Sequence, residues 1–328
     1  MPLTTVSQGL LSTDAQYTGF KNRLINGDMT IDQRNGGASV AVTGVGQYSV
    51  DRFRADIFSS ATGRFSIQQS AVAPAGFVNS LLVTVTTANA SPTTDFGYSV
   101  QQIIEGFNIA DFGWGTANAQ PVTLSFWVRS SITGTFPIVI QNSDADRAFG
   151  AQYTISAANT WEYKTVAISG ITSGTWLTTN GIGTRVLFGL GGGSNRTIST
   201  GFQSVGSFQT QTNVTGSTNL LATNGATWQV TGCQLEKGNT ATSFDYLPYG
   251  TELNLCQRYY QTTSWYEFTS VNATIPFVTT MRTSPTATFT NPGWGTNVSN
   301  VFGAFDNSIF VSAPSVVWSA TARLSAEL

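Results

Sequence analysis

From Val122 to Arg129 the chain alternates apolar and polar side chains with a period of two, Val-Thr-Leu-Ser-Phe-Trp-Val-Arg. That spacing puts Val122, Leu124, Phe126 and Val128 on one face of a strand and Thr123, Ser125, Trp127 and Arg129 on the other. Similar runs recur at 80–86, 98–104, 136–141, 153–156, 161–168, 185–190 and 227–235, separated by Gly, Asn, Ser and Thr, which suit turns. Helical signals are short: one turn at 108–112 and two to three turns at 252–260. No strand–helix–strand rhythm appears, which argues against dinucleotide-binding and barrel architectures. The pattern predicts an all-β chain, an antiparallel β-sandwich in which each sheet buries one face.

Three regions follow. Residues 1–50 are polar and Gly-rich with few strand runs, and predict an N-terminal arm that leans on something else. Residues 51–250 hold the regular strands and close at the turn-forming Leu247-Pro-Tyr-Gly. Residues 251–328 open with the helical signal and continue as strands at 273–280, 286–289 and 308–311, a smaller C-terminal β module.

Composition narrows the function. Of 328 residues, 15 are basic and 17 acidic, giving a net charge of -2; charged residues make up 10%, against about 25% in an ordinary domain. No basic block is present to displace phosphate counterions, so nucleic acid is not an expected partner. No run approaches the roughly 20 apolar residues of a membrane-spanning helix, so membrane insertion is not expected either. The chain has no histidine, which removes His-based triads and imidazole metal sites together. Paired carboxylates remain open to a hydrolase, but the 17 acids are scattered and spacing singles out no pair. The expectation is a non-enzyme. Cys233 and Cys256 each sit alone in a regular segment, and the opening MPLTTVSQGLLSTD lacks the basic start and apolar run of an export signal. Both cysteines are therefore expected as thiols in a chain that folds in a cytoplasm.

Two loops invite a ligand and decline it. Gly189-Leu-Gly-Gly-Gly-Ser-Asn has Ser194 where a dinucleotide fingerprint needs Gly, so a tight backbone approach is expected there. Asn142-Ser-Asp-Ala-Asp opens like a calcium loop, but its sixth position is Arg147 and its twelfth Tyr153. The aromatics say more. Trp114, Trp176 and Trp294 stand among small residues in loops, and Trp127 stands on the polar face of its strand beside Arg129. A ring flanked by amides and hydroxyls stacks on the apolar face of a sugar, so these four are candidate carbohydrate-binding residues. The competing reading has the loop rings plugging the ends of the sandwich or a subunit contact.

Three groups of segments resemble a family of phage virion proteins, the tail-fibre and minor structural proteins. The first is Asn22-Arg-Leu-Ile-Asn-Gly-Asp-Met-Thr-Ile-Asp-Gln-Arg-Asn-Gly-Gly with Tyr48-Ser-Val-Asp-Arg-Phe. The second is Leu124-Ser-Phe-Trp-Val-Arg-Ser-Ser with Tyr153-Thr-Ile and Asn159-Thr-Trp-Glu-Tyr-Lys-Thr. The third is Gly232-Cys-Gln-Leu-Glu-Lys-Gly with Ala241-Thr-Ser-Phe-Asp and Leu255-Cys-Gln-Arg-Tyr-Tyr. The resemblance covers residues 22–260 and implies a jelly roll like that of carbohydrate-binding modules, with the Asn-Gly-Asp strand near the Gln-Leu-Glu strand. It also implies a structural calcium flanked by those two segments, for which Asp28 and Glu236 are the matching acids.

The expectation assembled from these readings is a virion component, assembled in the host cytoplasm, which contributes to recognition of host-surface glycan. Residues 1–50 would join it to other virion proteins. A glycan depolymerase of the tailspike type, or a scaffolding protein without a ligand, are the alternatives. Residues 251–328 carry many rings and few charges for so small a module, a composition that calls for partners of the same kind. The resemblance selects a homotrimer. Light scattering at micromolar concentration should give about three chain masses, and Trp294→Ala or Trp318→Ala should weaken association; a mass near one chain would exclude the trimer.

Overall fold

The alternating runs form strands because each exposes one apolar face that only a second layer can cover. A computed structural model describes residues 20–206, 209–268, 272–290, 300–312 and 317–328. In chain order the strands before the helix are β1 (Val40–Val42), β2 (Gln47–Tyr48), β3 (Arg54–Phe58), β4 (Arg64–Ser70), β5 (Ser80–Thr87), β6 (Gly97–Glu105), β7 (Val122–Ser130) and β8 (Gly134–Gln141). They continue as β9 (Arg147–Ile155), β10 (Glu162–Ile168), β11 (Ile182–Gly192), β12 (Thr197–Ile198), β13 (Gly201–Ser204), β14 (Asn213–Val214) and β15 (Thr227–Lys237). Sheet A has the order β1-β4-β5-β15-β7-β10 and sheet B the order β13-β9-β8-β11-β6-β3-β2. All pairings within both are antiparallel, and the two sheets form a jelly-roll sandwich.

One continuous core lies between the sheets. Val122, Leu124, Phe126 and Val128 enter it from sheet A, as alternation requires, and meet Phe136, Ile138, Val186 and Phe188 of sheet B. Phe126 packs edge-on against Phe188 at 5.1 Å and Tyr153 at 5.0 Å. The fully buried Trp228 indole donates its N–H to the Tyr153 hydroxyl at 2.9 Å. The outer face of sheet B is capped in part by the parallel pair β12–β14, which buries Val139, Leu187, Ile198 and Val214.

Some boundaries differ from the sequence expectation. Residues 40–48, assigned to the arm, pair into both sheets, because two short strands at sheet edges carry too little alternation to be read. The turn expected at 108–112 is two 3-10 turns, Gly106–Asn108 and Ala110–Phe112. Helix α1 spans Tyr249–Gln257 and starts just after Pro248, so the expected helix lies three residues earlier. The Gly-rich loop is a close backbone approach: a Cβ on Gly193 would lie 1.8 Å from the Thr93 carbonyl oxygen.

After α1 come β16 (Tyr260–Phe268), β17 (Asn272–Pro276), β18 (Thr286–Thr290), β19 (Asn300–Ala304), β20 (Ser308–Ser312) and β21 (Val317–Ser325). They form two three-stranded antiparallel sheets, β16-β21-β18 and β17-β20-β19. Trp294 lies outside the described residues, as do the side chains of Trp265 and Trp318.

A buried polar cluster ties Arg34 and Arg52 to the segments that carry Arg258, Tyr259 and Glu327 against sheet B. The Arg34 guanidinium lies between the Tyr48 and Tyr260 rings, 4.4 and 3.8 Å from their centroids, and bonds Glu327 at 2.8 Å. Arg52 lies 3.4 Å over the Tyr259 ring, pairs with the same Glu327 and donates to the Ile103 carbonyl at 2.6 Å. Glu105 accepts the Tyr259 hydroxyl at 3.0 Å and the Arg258 guanidinium at 3.1 Å. Among the described residues no helix is long and apolar enough to cross a membrane. Both cysteines are buried free thiols, and burial pushes their pKa values well up.

Phe126→Ala removes the ring that bridges the two sheets. It should lower unfolding free energy by about 3–5 kcal/mol in urea; a loss under about 1 kcal/mol would contradict this packing.

Candidate functional site

The outer face of sheet A carries an open cleft of about 500 Å³. Its floor is built by strand alternation. With Phe126 and Val128 turned into the core, Ser125 and Trp127 of β7 must face outward, and the register sets Tyr163 of β10 directly opposite Trp127. The two rings lie 5.4 Å apart, and Tyr163 is 44% exposed.

The opposite wall comes from two loops. Phe77, Phe244 and Tyr246 form a triangle of rings, with centroid separations of 5.2 Å (Phe77–Phe244), 5.6 Å (Phe77–Tyr246) and 4.8 Å (Phe244–Tyr246). The Tyr246 hydroxyl donates to the Gly76 carbonyl at 2.9 Å, which pins one loop to the other. Phe77 sits where it does because Gly232 has no side chain. At φ +61° a Cβ there would lie 2.6 Å from the Phe77 ring. Ser243 lies exposed between the walls, the Thr242 hydroxyl is already bonded to Glu236, and among the described residues no charged side chain lines the cleft. Two aromatic walls with an exposed serine between them suit a sugar ring, whose apolar faces stack on the rings.

Of the three candidate tryptophans among the described residues, Trp114, Trp127 and Trp176, the structure brings Trp127 to this cleft, and Trp294 lies outside the described residues. Trp114 and Trp176 are 5% and 6% exposed and pack edge-on at 4.8 Å. Their indoles donate to the Gln120 and Ser173 carbonyls, so both plug one end of the sandwich and offer no ring to a ligand. The exposed-ring reading of these two is corrected. Tyr163, Phe77, Phe244 and Tyr246 were missed. Tyr163 had a signal, its place in an alternating run, but which neighbour it faces depends on register.

The Asn-Gly-Asp segment does lie against the Gln-Leu-Glu strand, as a turn rather than a strand. Asn22 takes the Leu235 amide and donates to the Cys233 carbonyl, while the Cys233 amide donates to Gly27. A shared calcium does not fit there. Glu236 is buried, and its oxygens already accept from the Thr242 amide (2.8 Å), the Thr242 hydroxyl (2.6 Å) and Gln234 (2.8 Å). Asp28 accepts from Thr30 and shares no interaction with Glu236. Among the described residues no group of three or more acids or thiols is arranged to hold a metal.

Asp28 instead borders a second pocket of about 380 Å³ with Asp245, Glu252 and Arg23. Asp245 accepts the Lys21 and Asn22 amides, and Glu252 accepts the Asn26 amide. Burial, with Asp28 and Asp245 nearby, lifts the Glu252 carboxyl to about 7. Burial likewise lifts Asp51 to about 6 against the opposing pull of Arg34. Both acids hold the N-terminal turn.

No family model matches the sequence, and no curated protein matches it. Among solved structures, the enzymatically active domain of a Bacteriophage CBA120 tailspike protein is similar at TM-score 0.34 and 11% identity, over 66% of this chain and 21% of that one. A family 4 carbohydrate-binding module is similar at TM-score 0.32 and 10% identity, covering 65% and 98%. A family 11 module from a Clostridium thermocellum cellulosomal cellulase gives 0.31 and 12%, covering 60% and 98%. The chain spans about a fifth of the tailspike's length. Likenesses of this extent bear on neither the ligand nor the activity of this chain.

The two lifted carboxyls set a pH dependence. Each binds its proton more tightly folded than unfolded, so stability is full below the ordinary carboxylate range and falls as pH rises through about 4 to 7. The melting temperature should be higher at pH 5 than at pH 8, and Glu252→Gln should shrink the difference. A melting temperature that rises with pH across this range would contradict the assignment.

Proposed function

We propose that this chain is a non-enzymatic virion component of a phage, a tail fibre or other appendage protein, that recognises host-surface glycan. The observation that carries the glycan reading is the uncharged cleft between the Trp127–Tyr163 pair and the Phe77–Phe244–Tyr246 triangle. Its rings are already ordered against one another, so binding needs little rearrangement. The virion reading rests on the three groups of family-like segments, on the low charge and on the absence of histidine. On this reading the chain assembles in the host cytoplasm as a homotrimer through residues 251–328, and its N-terminal segment attaches it to other virion proteins.

Hydrolysis has one feature in its favour: Glu252, lifted to about 7, borders a pocket with Asp28 and Asp245, as a general acid beside a carboxylate would. The same carboxyl accepts the Asn26 amide, and Asp245 accepts two backbone amides, so structural bonds account for both. Release of reducing ends from host polysaccharide, abolished by Glu252→Gln, would establish the depolymerase instead.

Purified protein should bind a subset of a glycan array and adsorb to host cells. Trp127→Ala and Tyr163→Ala should each weaken binding about tenfold or more, which is about 1.4 kcal/mol, with little change in melting temperature. Antibody labelling should place the chain on particles. Binding to no glycan and no cell, with normal incorporation, would leave the scaffolding alternative.

A further inference from the structure

We infer that the cleft on sheet A selects neutral saccharides and rejects those bearing carboxylate, sulfate or phosphate groups. This rests on the glycan reading of the same cleft. An anionic group entering it would lose water and needs a cation or a set of convergent donors in return. The cleft offers neither, since none of its lining residues carries a charge.

The nearby cations are already engaged. Arg129, two residues along β7 from Trp127, donates to the Asn159 carbonyl at 2.9 Å and to Gln229 at 2.7 Å. Lys164, next to Tyr163 on β10, pairs with Glu162 at 2.6 Å. Lys21 reaches the Thr242 hydroxyl at 2.8 Å from behind the floor, where the Glu236 carboxylate bonds the same hydroxyl at 2.6 Å. The two charges therefore offset each other at Thr242. Asp28 adds negative potential on the far wall, where its charge, after burial, raises the Tyr246 hydroxyl's pKa. The N–H groups of these cations are thus spent on protein acceptors and none is turned into the cleft for an anion, while the two ring walls remain suited to the apolar faces of a neutral pyranose.

The probe is an array of matched oligosaccharides, hexose and N-acetylhexosamine oligomers beside uronate, sialate and phosphate counterparts. It is read at low salt and at about 1 M, where the Debye length falls to about 3 Å. Neutral sugars should bind at least about tenfold tighter than their anionic partners at low salt, and the gap should narrow at high salt. Ser243→Lys, on the exposed rim, should raise anionic binding about threefold or more relative to neutral binding. Anionic sugars that bind as tightly as neutral ones and lose binding with Trp127→Ala would overturn the neutral preference alone. Binding of no sugar, or sugar binding indifferent to Trp127→Ala, would overturn the glycan reading of the cleft and this inference with it.

Discussion

Between Thr231 and Gln234 the ladder of β15 against β7 slips, leaving Gly232 and Cys233 outside the regular pairing. A strand interior cannot leave such amides and carbonyls unpaired, because each buried orphan is costly. The Asn22–Gly27 turn meets that demand. It bonds both backbone groups of Cys233 and continues along Leu235, taking the edge of β15 beyond the stretch Thr227–Val230 that pairs with β5. The same bulge puts Gly232 at positive φ and clears the space that the Phe77 ring fills. One irregularity thus anchors the N-terminal turn on one side and a wall of the cleft on the other. The first and third groups of family-like segments are two halves of this junction.

A second dependence runs through the arginine–tyrosine cluster. The chain has few charges, and several of them lie buried between Arg34, Arg52, Glu327 and Glu105. Burying ions is unfavourable unless each finds donors, acceptors or ring faces, and here the tyrosine rings cover the guanidiniums while the carboxylates take their N–H groups. Removal of any one member would strand the others. Because Arg34 and Arg52 lie far in sequence from Tyr259, Tyr260 and Glu327, closure of the cluster requires both segments to be in place.

The strands were legible because alternation is a local signal, and Val122–Arg129 shows it at its cleanest. The arm boundary was not, since β1 and β2 are three and two residues long and draw their pairing from neighbours elsewhere in the chain. The loop tryptophans show the limit on site reading. Small residues around Trp114 and Trp176 look the same whether a ring stands in solvent or folds back, and only the closeness of two distant loops, 4.8 Å between rings, decides it. Trp127 could be read because a strand has two faces and the core had claimed one. Its partners across the cleft could not, for Phe77 and Phe244 are 167 positions apart and meet through the bulge at Gly232.

The cleft divides between two kinds of structure. Ser125 and Trp127 belong to ladder positions whose neighbours in sequence are core residues, and the pairing of β10 with β7 holds Tyr163 opposite Trp127. Phe77, Phe244 and Tyr246 belong to loops held by ring packing and by one hydroxyl bond to Gly76. Changes in the loops can alter the shape of one wall without disturbing the core, since neither loop contributes a strand to either sheet. Changes in the floor cannot be made so freely: every outward side chain on β7 is fixed in direction by an inward neighbour that the core requires. The cleft thus joins a floor whose directions the core dictates to a wall whose shape the core leaves free.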